Sequence, residues 1–433
     1  MTTSSHPAGP GVLALVESQL SNFGLTPLRA ASELGFHTVL VSNDPDRYRV
    51  VSLAEEVFAQ HIDEIVRTDT NSVDAVVAAL EPFRTDGRLR GVLTVTDYNI
   101  PIVAEAAARL GLPGLDPKAA ATCRDKLLMR QACAAAGVAV PGFHQAVGEE
   151  DALAAADRFG YPCVVKPMTE SASIGVTLCR TPDEVLAAYR EISSKPTDFR
   201  GQPRRPGALV EEYLIGFEVS VESVLVEGER VFLGVTDKAL GPHPHFVEMG
   251  DTFPSMLSAP VREECVDLAR RALEAVGHDF GAAHVEVKMT ANGPFVVEVN
   301  GRMPGAEITQ LMREATGIYL QREVVRLHAA QPADLTATRS RAAASRYLAA
   351  RESGILTSIG GADLARRVPG VVDVDLEAHP GDTVRPAENN LDLLGYVVAV
   401  GDTTGDAVRR AEAALGQLTP VIDGAGAPAG GRR

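Results

Sequence analysis

The chain has 433 residues, of which 45% are hydrophobic and 23% charged, and it carries a formal net charge of −16 at pH 7. This length exceeds what one core of ordinary size supports, so we expect two to four structural units in a globular protein. The acidic balance argues against nucleic acid or an anionic membrane as a partner, because either would require a basic surface. A nucleotide needs only a few local cations and is not excluded.

Five cysteines are scattered without a C-x-x-C pair or a metal-ligand spacing, which is typical of a reducing compartment. No run approaches the roughly 18 apolar residues that span a bilayer, and the N-terminus lacks the pattern of a secretory signal. We therefore expect a cytoplasmic protein. Lysine and arginine together number 41, and six of them are lysines. A lysine in such a sequence suggests chemistry that needs a compact charge, such as phosphate binding.

Short apolar runs alternate with helical patterns over residues 12–114. This alternation predicts a parallel, doubly wound sheet, and we expect a Rossmann-like domain at about residues 1–115. No G-x-G-x-x-G follows the first strand, so dinucleotide binding is not supported. The loops at 18–24 and 97–99 lie at strand ends, where such a sheet presents ligands; plain connections are an equal alternative.

The pattern predicts a helix at about residues 124–136 and a strand at 161–166 that ends in Lys166. A lysine at a sheet edge can meet a phosphate, whereas a solvated surface lysine is the alternative. Lys126, at the start of the predicted helix, is a weaker candidate of the same kind. Residues 194–207, rich in Pro, Arg and Gly, are expected to form an exposed excursion.

The loop after Lys166 consists of small residues and includes Ser171, Ser173 and Gly175. Its backbone N–H groups and two hydroxyls could close over the β- and γ-phosphates of a nucleotide. It is not a P-loop, because G-x-x-x-x-G-K-[ST] is absent from the sequence. A simple hairpin turn is the alternative.

A strand that begins near Ala208 runs into a short connector and a further strand. Adenine needs an apolar slot with backbone donors and acceptors, and ribose needs a carboxylate for its hydroxyls. The candidates in this segment are Glu211, Glu212, Tyr213, Leu214 and Glu218. An edge strand with solvated acids is the alternative.

Two later strands each place an acid inside an apolar run, at Glu286 and at Glu298, where a lone carboxylate is costly to bury. The Asn-Gly turn between them predicts an antiparallel hairpin. The two carboxylates could then share Mg²⁺, with Asn300 as a third ligand. Alternation places Arg302 on the same face, where it could hold a carboxylate or a tetrahedral oxyanion. Buried salt bridges are the alternative.

The pattern changes past about residue 330. Short predicted strands at 345–350, 371–376 and 396–401 and a predicted helix at 404–415 indicate a small α/β domain over 331–422. The Gly-, Ala- and Pro-rich tail at 423–433 is predicted to be disordered.

The order of these segments resembles that of ATP-grasp enzymes over about residues 10–330. The resemblance implies a two-lobed α+β ATP-grasp fold at 116–330, with a lid at about 140–215 that closes over ATP. It implies that Lys126 and Lys166 contact phosphate, that Glu211 and Leu214 lie at adenine and Glu218 at ribose. Glu286, Glu298 and Asn300 would bind Mg²⁺, for which Mn²⁺ could substitute. A homodimer is usual in the family.

Within that family the chain is most similar to bacterial L-amino-acid ligases, in the segments 236–238, 243–250, 283–288 and 302–305. The similarity implies that Glu248 meets the amino group of the first substrate, with a solvated loop acid as the alternative. His284 alternates with Glu286 on one strand face, which makes it a candidate substrate contact; a satisfied core histidine is an equal alternative. Ala306 stands where biotin-carboxylase-type members carry a glutamate, so carboxylation by that mechanism is disfavoured. Because Gly305 and Ala306 are small, the acyl pocket is expected to admit a bulky side chain.

We therefore expect an ATP-dependent ligase that makes an amide or peptide bond through an acyl phosphate and releases ADP and phosphate. The substrates would be a small carboxylate and an amine, with two amino acids as the leading pair. One alternative is a ligase that joins a non-amino-acid carboxylate to an amine in secondary-metabolite or cofactor synthesis. The other is a nucleotide-binding protein without catalytic activity.

Overall fold

The structure is a computed structural model that describes residues 10–424. The N-terminal region contains β1 (Val12–Val16), α1 (Asn22–Glu33), β2 (His37–Ser42), α2 (Ala54–Gln60), β3 (Glu64–Arg67), α3 (Val73–Thr85), β4 (Leu89–Leu93) and α4 (Ile100–Leu110). The strands are all parallel, in the order β3-β2-β1-β4. Every residue of β1 is buried, because alternate side chains enter two cores, one with α1 and α2 and one with α3 and α4. The predicted Rossmann-like fold is confirmed here.

Two loops at the carboxyl ends of β1 and β4 reach the centre of the molecule. The loop after β1 leads to Ser21, whose hydroxyl caps α1 by accepting a hydrogen bond from the Gly24 N–H at 3.4 Å. The loop after β4 contains a short 3₁₀ turn at Asp97–Asn99 that leads into α4. Open α/β sheets bind ligands at the carboxyl ends of their strands, and residues of both loops line the main cavity.

The predicted helix at 124–136 is wrong at its start, because the chain forms two helices there, α5 (Pro117–Arg124) and α6 (Lys126–Ala135). Asp125 between them is extended, and its carboxylate accepts hydrogen bonds from the N–H groups of Leu127 and Leu128 at 2.9 and 3.2 Å. An N-cap of this kind starts a new helix. Lys126 is therefore the first residue of α6 and is buried.

The next region is a small antiparallel sheet covered by two helices. Its elements are β5 (Phe143–Ala146), α7 (Glu149–Phe159), β6 (Cys163–Lys166), β7 (Thr177–Cys179), α8 (Pro182–Ser193) and β8 (Ala208–Glu212). The strand order is β5-β8-β6-β7. Alanine and β-branched side chains from both helices and all four strands form a core of their own, so this region packs as a separate lobe. Its closure over a ligand stays a prediction.

The rest of the chain is built around an eight-stranded sheet in the order β13-β12-β9-β10-β11-β14-β18-β16. The elements in chain order are β9 (Gly216–Val226), β10 (Glu229–Leu240), β11 (Glu248–Phe253), α9 (Ala259–Ala275), β12 (Gly281–Thr290), β13 (Gly293–Asn300), α10 (Ile308–Thr316), α11 (Leu320–His328), β14 (Ala342–Ala349), β15 (Gly354–Gly360), α12 (Ala362–Arg366), β16 (Val371–Leu376), β17 (Thr383–Val384), β18 (Leu393–Gly401), α13 (Thr404–Leu415) and β19 (Thr419–Asp423). A further sheet has the order β17-β15-β19.

The C-terminal region is joined to the central sheet by main-chain pairing. β11 and β14 pair antiparallel at Thr252 with Ala344 and at Phe253 with Ala343. The predicted strands near 345, 371 and 396 and the predicted helix at 404–415 are all present. The predicted tail starts at Asp423, which ends β19, and from residue 425 onward it lies outside the described residues. Because the sheet is continuous, the C-terminal region can contribute directly to a central site.

The predicted acidic hairpin is confirmed. β12 and β13 pair antiparallel, with His284 opposite Asn300 and Glu286 opposite Glu298. Valines that alternate with these polar residues enter a core with α6 and α9. The period of two residues along a strand therefore directs the polar side chains to the other face, where the cavity lies. No helix in residues 10–424 is long and apolar enough to cross a membrane.

Candidate active site

A cavity of about 880 Å³ lies between the N-terminal sheet, the small lobe and the large sheet. Every residue that the sequence analysis proposed for the site lines this cavity except Gly175. Gly175 lies in the small-residue loop with φ +72°, a conformation that favours glycine. The fold thus collects side chains from residues 126 to 306 into one chamber.

The two lysines that are candidates for binding phosphate are buried, and each is paired with a glutamate carboxylate. Lys126 Nζ donates to the Glu170 carbonyl oxygen at 2.7 Å and to Glu298 Oε1 at 3.0 Å. Lys166 Nζ lies 2.6 Å from Glu211 Oε2. Burial lowers the pKa of Lys166 against the opposing effect of Glu211. An incoming phosphate would supply further negative charge to both ammonium groups.

Glu211 is held by two cationic side chains, Arg130 and Lys166. Its carboxylate accepts from Arg130 Nε at 2.7 Å and from Arg130 Nη2 at 3.2 Å, in addition to pairing with Lys166. The Arg130 side chain is fully buried, so the three charges form a closed network. A contact of Glu211 with adenine would have to come from its main chain. The carboxylate instead orients Lys166.

The connector from Glu212 to Glu218 lies at one end of the cavity. Tyr213 Oη lies 2.9 Å from His243 Nε2, and Glu212 accepts from the Gly142 N–H at 3.1 Å. Glu218 pairs with Lys288 at 3.2 Å, and burial raises its pKa despite this partner. This end offers the backbone and carboxylate groups that a nucleoside requires.

The small-residue loop is held from three directions. Ser171 Oγ donates to Asp97 Oδ2 at 2.6 Å, Ser173 Oγ donates to the Phe246 carbonyl at 2.7 Å, and the Asn390 N–H donates to the Ala172 carbonyl at 3.1 Å. Ala172 and Ser173 have φ values of +55° and +60°, which cost about 1–3 kcal/mol each for non-glycine residues. Both hydroxyls therefore have protein acceptors, and their contact with phosphate stays a prediction.

Glu286 and Glu298 face each other across the hairpin. Glu286 Oε1 accepts from Lys238 at 3.0 Å and lies 3.3 Å from His284 Nε2. Burial opposes its ionisation, but Lys238 and His284 outweigh burial and hold the pKa of Glu286 well below its usual range. In the amide orientation that suits its neighbours, the Asn300 side-chain nitrogen donates to Glu298 Oε1 at 3.3 Å and to Asp97 Oδ1 at 3.2 Å.

The carboxylates of Glu286 and Glu298 offer oxygen donors, which fits a hard cation such as Mg²⁺, and Asn300 would add an oxygen only with its amide turned the other way. No cluster of three or more His, Cys, Asp and Glu side chains within residues 10–424 forms a complete metal site by itself. Two carboxylates and one amide are therefore a partial shell. The oxygens of a triphosphate would have to complete it.

Arg302 has a partner that the sequence did not reveal. Its Nε donates to Asp97 Oδ1 at 2.6 Å and its Nη2 donates to Asp97 Oδ2 at 2.7 Å. Although burial opposes ionisation of Asp97, Arg302 and Arg124 hold its pKa at about 2. The loop at 97–99 was marked as a ligand-presenting loop, but nothing in the sequence linked it to Arg302, which lies more than 200 residues later.

Glu248 and His284, the candidate contacts to the first substrate, are both held in place by neighbouring side chains. Glu248 Oε1 accepts from Lys238 Nζ at 2.7 Å, and its N–H donates to Asn390 Oδ1 at 3.0 Å. His284 Nδ1 lies 2.9 Å from Glu222 Oε2. Burial opposes a charge on His284, yet Glu222 raises its pKa to about 9, so the ring is a cation at neutral pH.

A group of buried side chains that the sequence does not reveal also borders the cavity. Glu307 and Tyr347 line it, and Tyr347 Oη donates to Glu307 Oε2 at 2.5 Å and to Asp251 Oδ2 at 3.2 Å. Burial raises the pKa of Glu307 well above its ordinary value. No spacing signal marks these residues, because Asp251 lies on β11, Tyr347 on β14 and Glu307 at the start of α10.

Three family models match the chain. They are the ATP-grasp N-terminal domain at residues 28–114, the ATP-grasp domain at 159–310 and the L-amino acid ligase C-terminal domain 2 at 346–423. The uncharacterized protein y4rH of Sinorhizobium fredii is 32% identical over 91% of this chain and 80% of its own length. The alanine–anticapsin ligase of Bacillus subtilis is 26% identical, over 68% of this chain and 65% of its own length.

The crystal structure of an L-amino acid ligase from Bacillus licheniformis has the same fold. It superposes with a TM-score of 0.79 and covers 96% of this chain and 99% of its own, at 21% identity. Three observations indicate the same family. They are the fold, the matched domains, and the cavity that brings together the lysines, the paired glutamates and Arg302. The chain belongs to the ATP-grasp family, as a ligase that joins a carboxylate to an amine through a C–N bond and is similar to L-amino acid ligases.

Proposed function

We propose that this ligase joins two L-amino acids into a dipeptide. The observation that carries the proposal is that Glu248 and Arg302, which have opposite charges, line one cavity together with the paired acids Glu286 and Glu298. An amino acid is a zwitterion, so it needs an anion near its ammonium group and a cation near its carboxylate. The alanine–anticapsin ligase, to which this chain is similar, is named for joining an amino acid.

The proposed ligation has two steps, and the charged side chains of the cavity would act in both. A carboxylate oxygen of the first substrate attacks the γ-phosphorus of ATP, the bond to the β-γ bridging oxygen breaks, and ADP leaves. The amine nitrogen of the second substrate then attacks the acyl carbon and loses a proton, and inorganic phosphate leaves with its oxygen. Lys126 and Lys166 would offset phosphate charge, and Arg302 would hold the acyl oxygen as negative charge develops on it.

We propose the remaining assignments on the same geometry. Glu286, Glu298 and Asn300 would hold Mg²⁺, or Mn²⁺ in its place, which when bound neutralises charge on the phosphates. The connector at 212–218 would take the nucleoside, and the loop at 171–175 the phosphates. Glu248 and His284 would contact the first substrate.

The lobe at about 140–215 is proposed to act as the lid, because it has its own core and carries the phosphate loop. Hinged lobes of this kind exclude water from the reaction. The division at about residues 115 and 330, and assembly as a homodimer, remain proposals.

The test is nucleotide turnover with ATP and Mg²⁺ against pairwise mixtures of amino acids, with ADP, AMP and phosphate measured separately and products weighed by mass spectrometry. ADP and phosphate together with a mass equal to two amino acids minus water would support the proposal. ADP that forms only with another acid or amine would keep the reaction type and change the substrate class. AMP and pyrophosphate, or no turnover with any carboxylate, would contradict the acyl-phosphate mechanism.

A further inference from the structure

The segment at 194–207, between α8 and β8, is exposed over most of its length, as its composition predicts, and is in addition anchored at a few residues. It docks on the N-terminal region: Asn71 Nδ2 donates to the Arg200 carbonyl at 3.0 Å, and Gln202 Nε2 donates to the Tyr98 carbonyl at 2.9 Å. The Asp198 residue is buried as well. Polar groups of the N-terminal region anchor the segment, and the composition of the segment alone does not reveal these partners. The segment thereby carries Arg200 from the small lobe to the N-terminal sheet.

The guanidinium of Arg200 is buried and only partly satisfied. Its side chain is 7% exposed, and its Nη2 donates to the Ser18 carbonyl. Its Nε and Nη1 are buried with no hydrogen-bond partner among the described residues. A guanidinium has five N–H donors, and buried donors without acceptors are costly. An acceptor is therefore missing at this position.

Glu17 does not fill that role. Its Oε2 lies 3.7 Å from Arg200 Nη1, beyond hydrogen-bonding distance. The carboxylate of Glu17 already accepts hydrogen bonds from Ser42 Oγ at 3.1 Å, Thr70 Oγ1 at 2.8 Å and the hydroxyl of Tyr48. It is satisfied without Arg200, so its charge attracts the guanidinium while the Nε and Nη1 donors stay buried without an acceptor among the described residues.

Arg200 lines the main cavity beside the start of α1. The twelve-residue helix α1 has a partial positive charge at its N-terminus and no acidic residue in its first turn. The Asp375 carboxylate accepts from the side chain of Asn22, the first residue of α1, at 2.9 Å. Next to Ser18, the Gln19 Oε1 atom lies 3.4 Å from the position that a Cβ of Gly305 would take. The path from Arg200 through this loop therefore leads to the segment that follows Arg302.

We propose that Arg200, together with the N-terminus of α1, binds the carboxylate of the amine-supplying substrate. The inference rests on the proposed function and names the residue that would recognise the carboxylate of its second amino acid. A carboxylate accepts two N–H bonds from a guanidinium and is stabilised at a helix N-terminus. With its carboxylate at Arg200, the substrate would extend its amino group toward Arg302 and the acyl carbon.

The test compares one acceptor amino acid with its own α-amide, which keeps the amine and lacks the charge. In Arg200→Gln, the ratio of kcat/KM for the acid to kcat/KM for the amide is expected to fall by at least about tenfold. Arg200→Lys, which keeps the charge without the fork, is expected to retain part of the ratio. Arg190→Gln is the matched control, since Arg190 lies on the same lobe with a 60% exposed side chain; its ratio is expected to equal that of the wild type.

A purely structural Arg200 would lower turnover of both acceptors equally, so an unchanged ratio in folded Arg200→Gln would overturn the inference. Failure of the proposed function is a separate result, because it would show in the wild type as absence of ADP with every amino acid. A wild-type enzyme that already prefers the amide would also overturn the assignment of Arg200.

Discussion

Asp97 and Arg302 are joined by two parallel hydrogen bonds, from Nε to Oδ1 at 2.6 Å and from Nη2 to Oδ2 at 2.7 Å. Asp97 follows β4 of the N-terminal sheet, whereas Arg302 follows the acidic hairpin of the large sheet. The same carboxylate accepts from Ser171 Oγ at 2.6 Å. One N-terminal side chain therefore connects the proposed acyl-stabilising arginine to the proposed phosphate loop.

We expect Asp97→Asn to lower kcat by roughly 10- to 100-fold, because the amide cannot accept both arginine bonds and the orientation of Arg302 is lost. Steady-state ADP release measures this effect. Asp74→Asn is the control, since Asp74 pairs with Arg109 on the surface, and exposed pairs contribute little. Turnover of Asp97→Asn equal to that of the control would contradict the role of the Asp97–Arg302 pair.

Glu298→Gln and Glu286→Gln are each expected to abolish ADP formation and to keep the fold. The amide removes a charged oxygen ligand from the proposed Mg²⁺ site while preserving the size of the side chain. Circular dichroism and thermal unfolding check the fold, and Glu263→Gln, an exposed position on α9, serves as the control. Near-normal turnover in both hairpin variants would mean that the metal is held elsewhere.

Ala306→Trp is expected to impair large first substrates selectively, by at least about tenfold in kcat/KM, because the indole would fill the cavity wall that Ala306 lines. Ala306 has φ +52°, so part of any loss could reflect backbone strain. Ala330→Trp is a matched control, since Ala330 has φ +53° and is exposed. The measurement is kcat/KM over a series of side-chain sizes. Unchanged size selectivity in Ala306→Trp would remove Ala306 from the pocket wall.

The pKa of Asp251 is raised to about 7, first by burial and then by Glu248. Between about pH 4 and about pH 7 the folded state therefore binds more protons than the unfolded state. The free energy of unfolding consequently falls as pH rises through that window. Asp251→Asn removes the titration and keeps the oxygen that accepts from Tyr347. The free energy of unfolding of the variant minus that of the wild type is expected to be larger at about pH 8 than at about pH 5, by roughly 1–4 kcal/mol.

Urea unfolding at the two pH values measures the difference. Asp363→Asn, at an exposed position, is the control and is expected to follow the wild type. A gain in Asp251→Asn that is the same at both pH values would show that Asp251 does not titrate in this window.

The sequence was informative where chemistry and local pattern coincide. Glu286 and Glu298 were found because an acid inside an apolar strand is unusual, and the Asn-Gly turn fixed their pairing. The N-terminal parallel sheet followed from the alternation of buried strands and helices. Lys166 stood out because lysine is rare in this chain.

The missed features depend on contacts between distant segments. Asp97 and Arg302 belong to different sheets, and the arginine-rich composition around Arg200 is the same whether the segment is solvated or docked. Glu211 is a similar case, because nothing in the sequence showed that its carboxylate lies with Arg130 and Lys166. Sequence spacing gives the face of a strand but not the partner that faces it from another element.

The most direct test of the acyl-phosphate reaction follows one oxygen atom. The first amino acid is supplied with oxygen-18 in its carboxylate, and phosphate, ADP and AMP are analysed by mass spectrometry after turnover with the second amino acid. The account predicts one labelled oxygen in inorganic phosphate, because the carboxylate oxygen that attacks the γ-phosphorus leaves with it. Labelled AMP, or dipeptide formed with unlabelled phosphate, would contradict it.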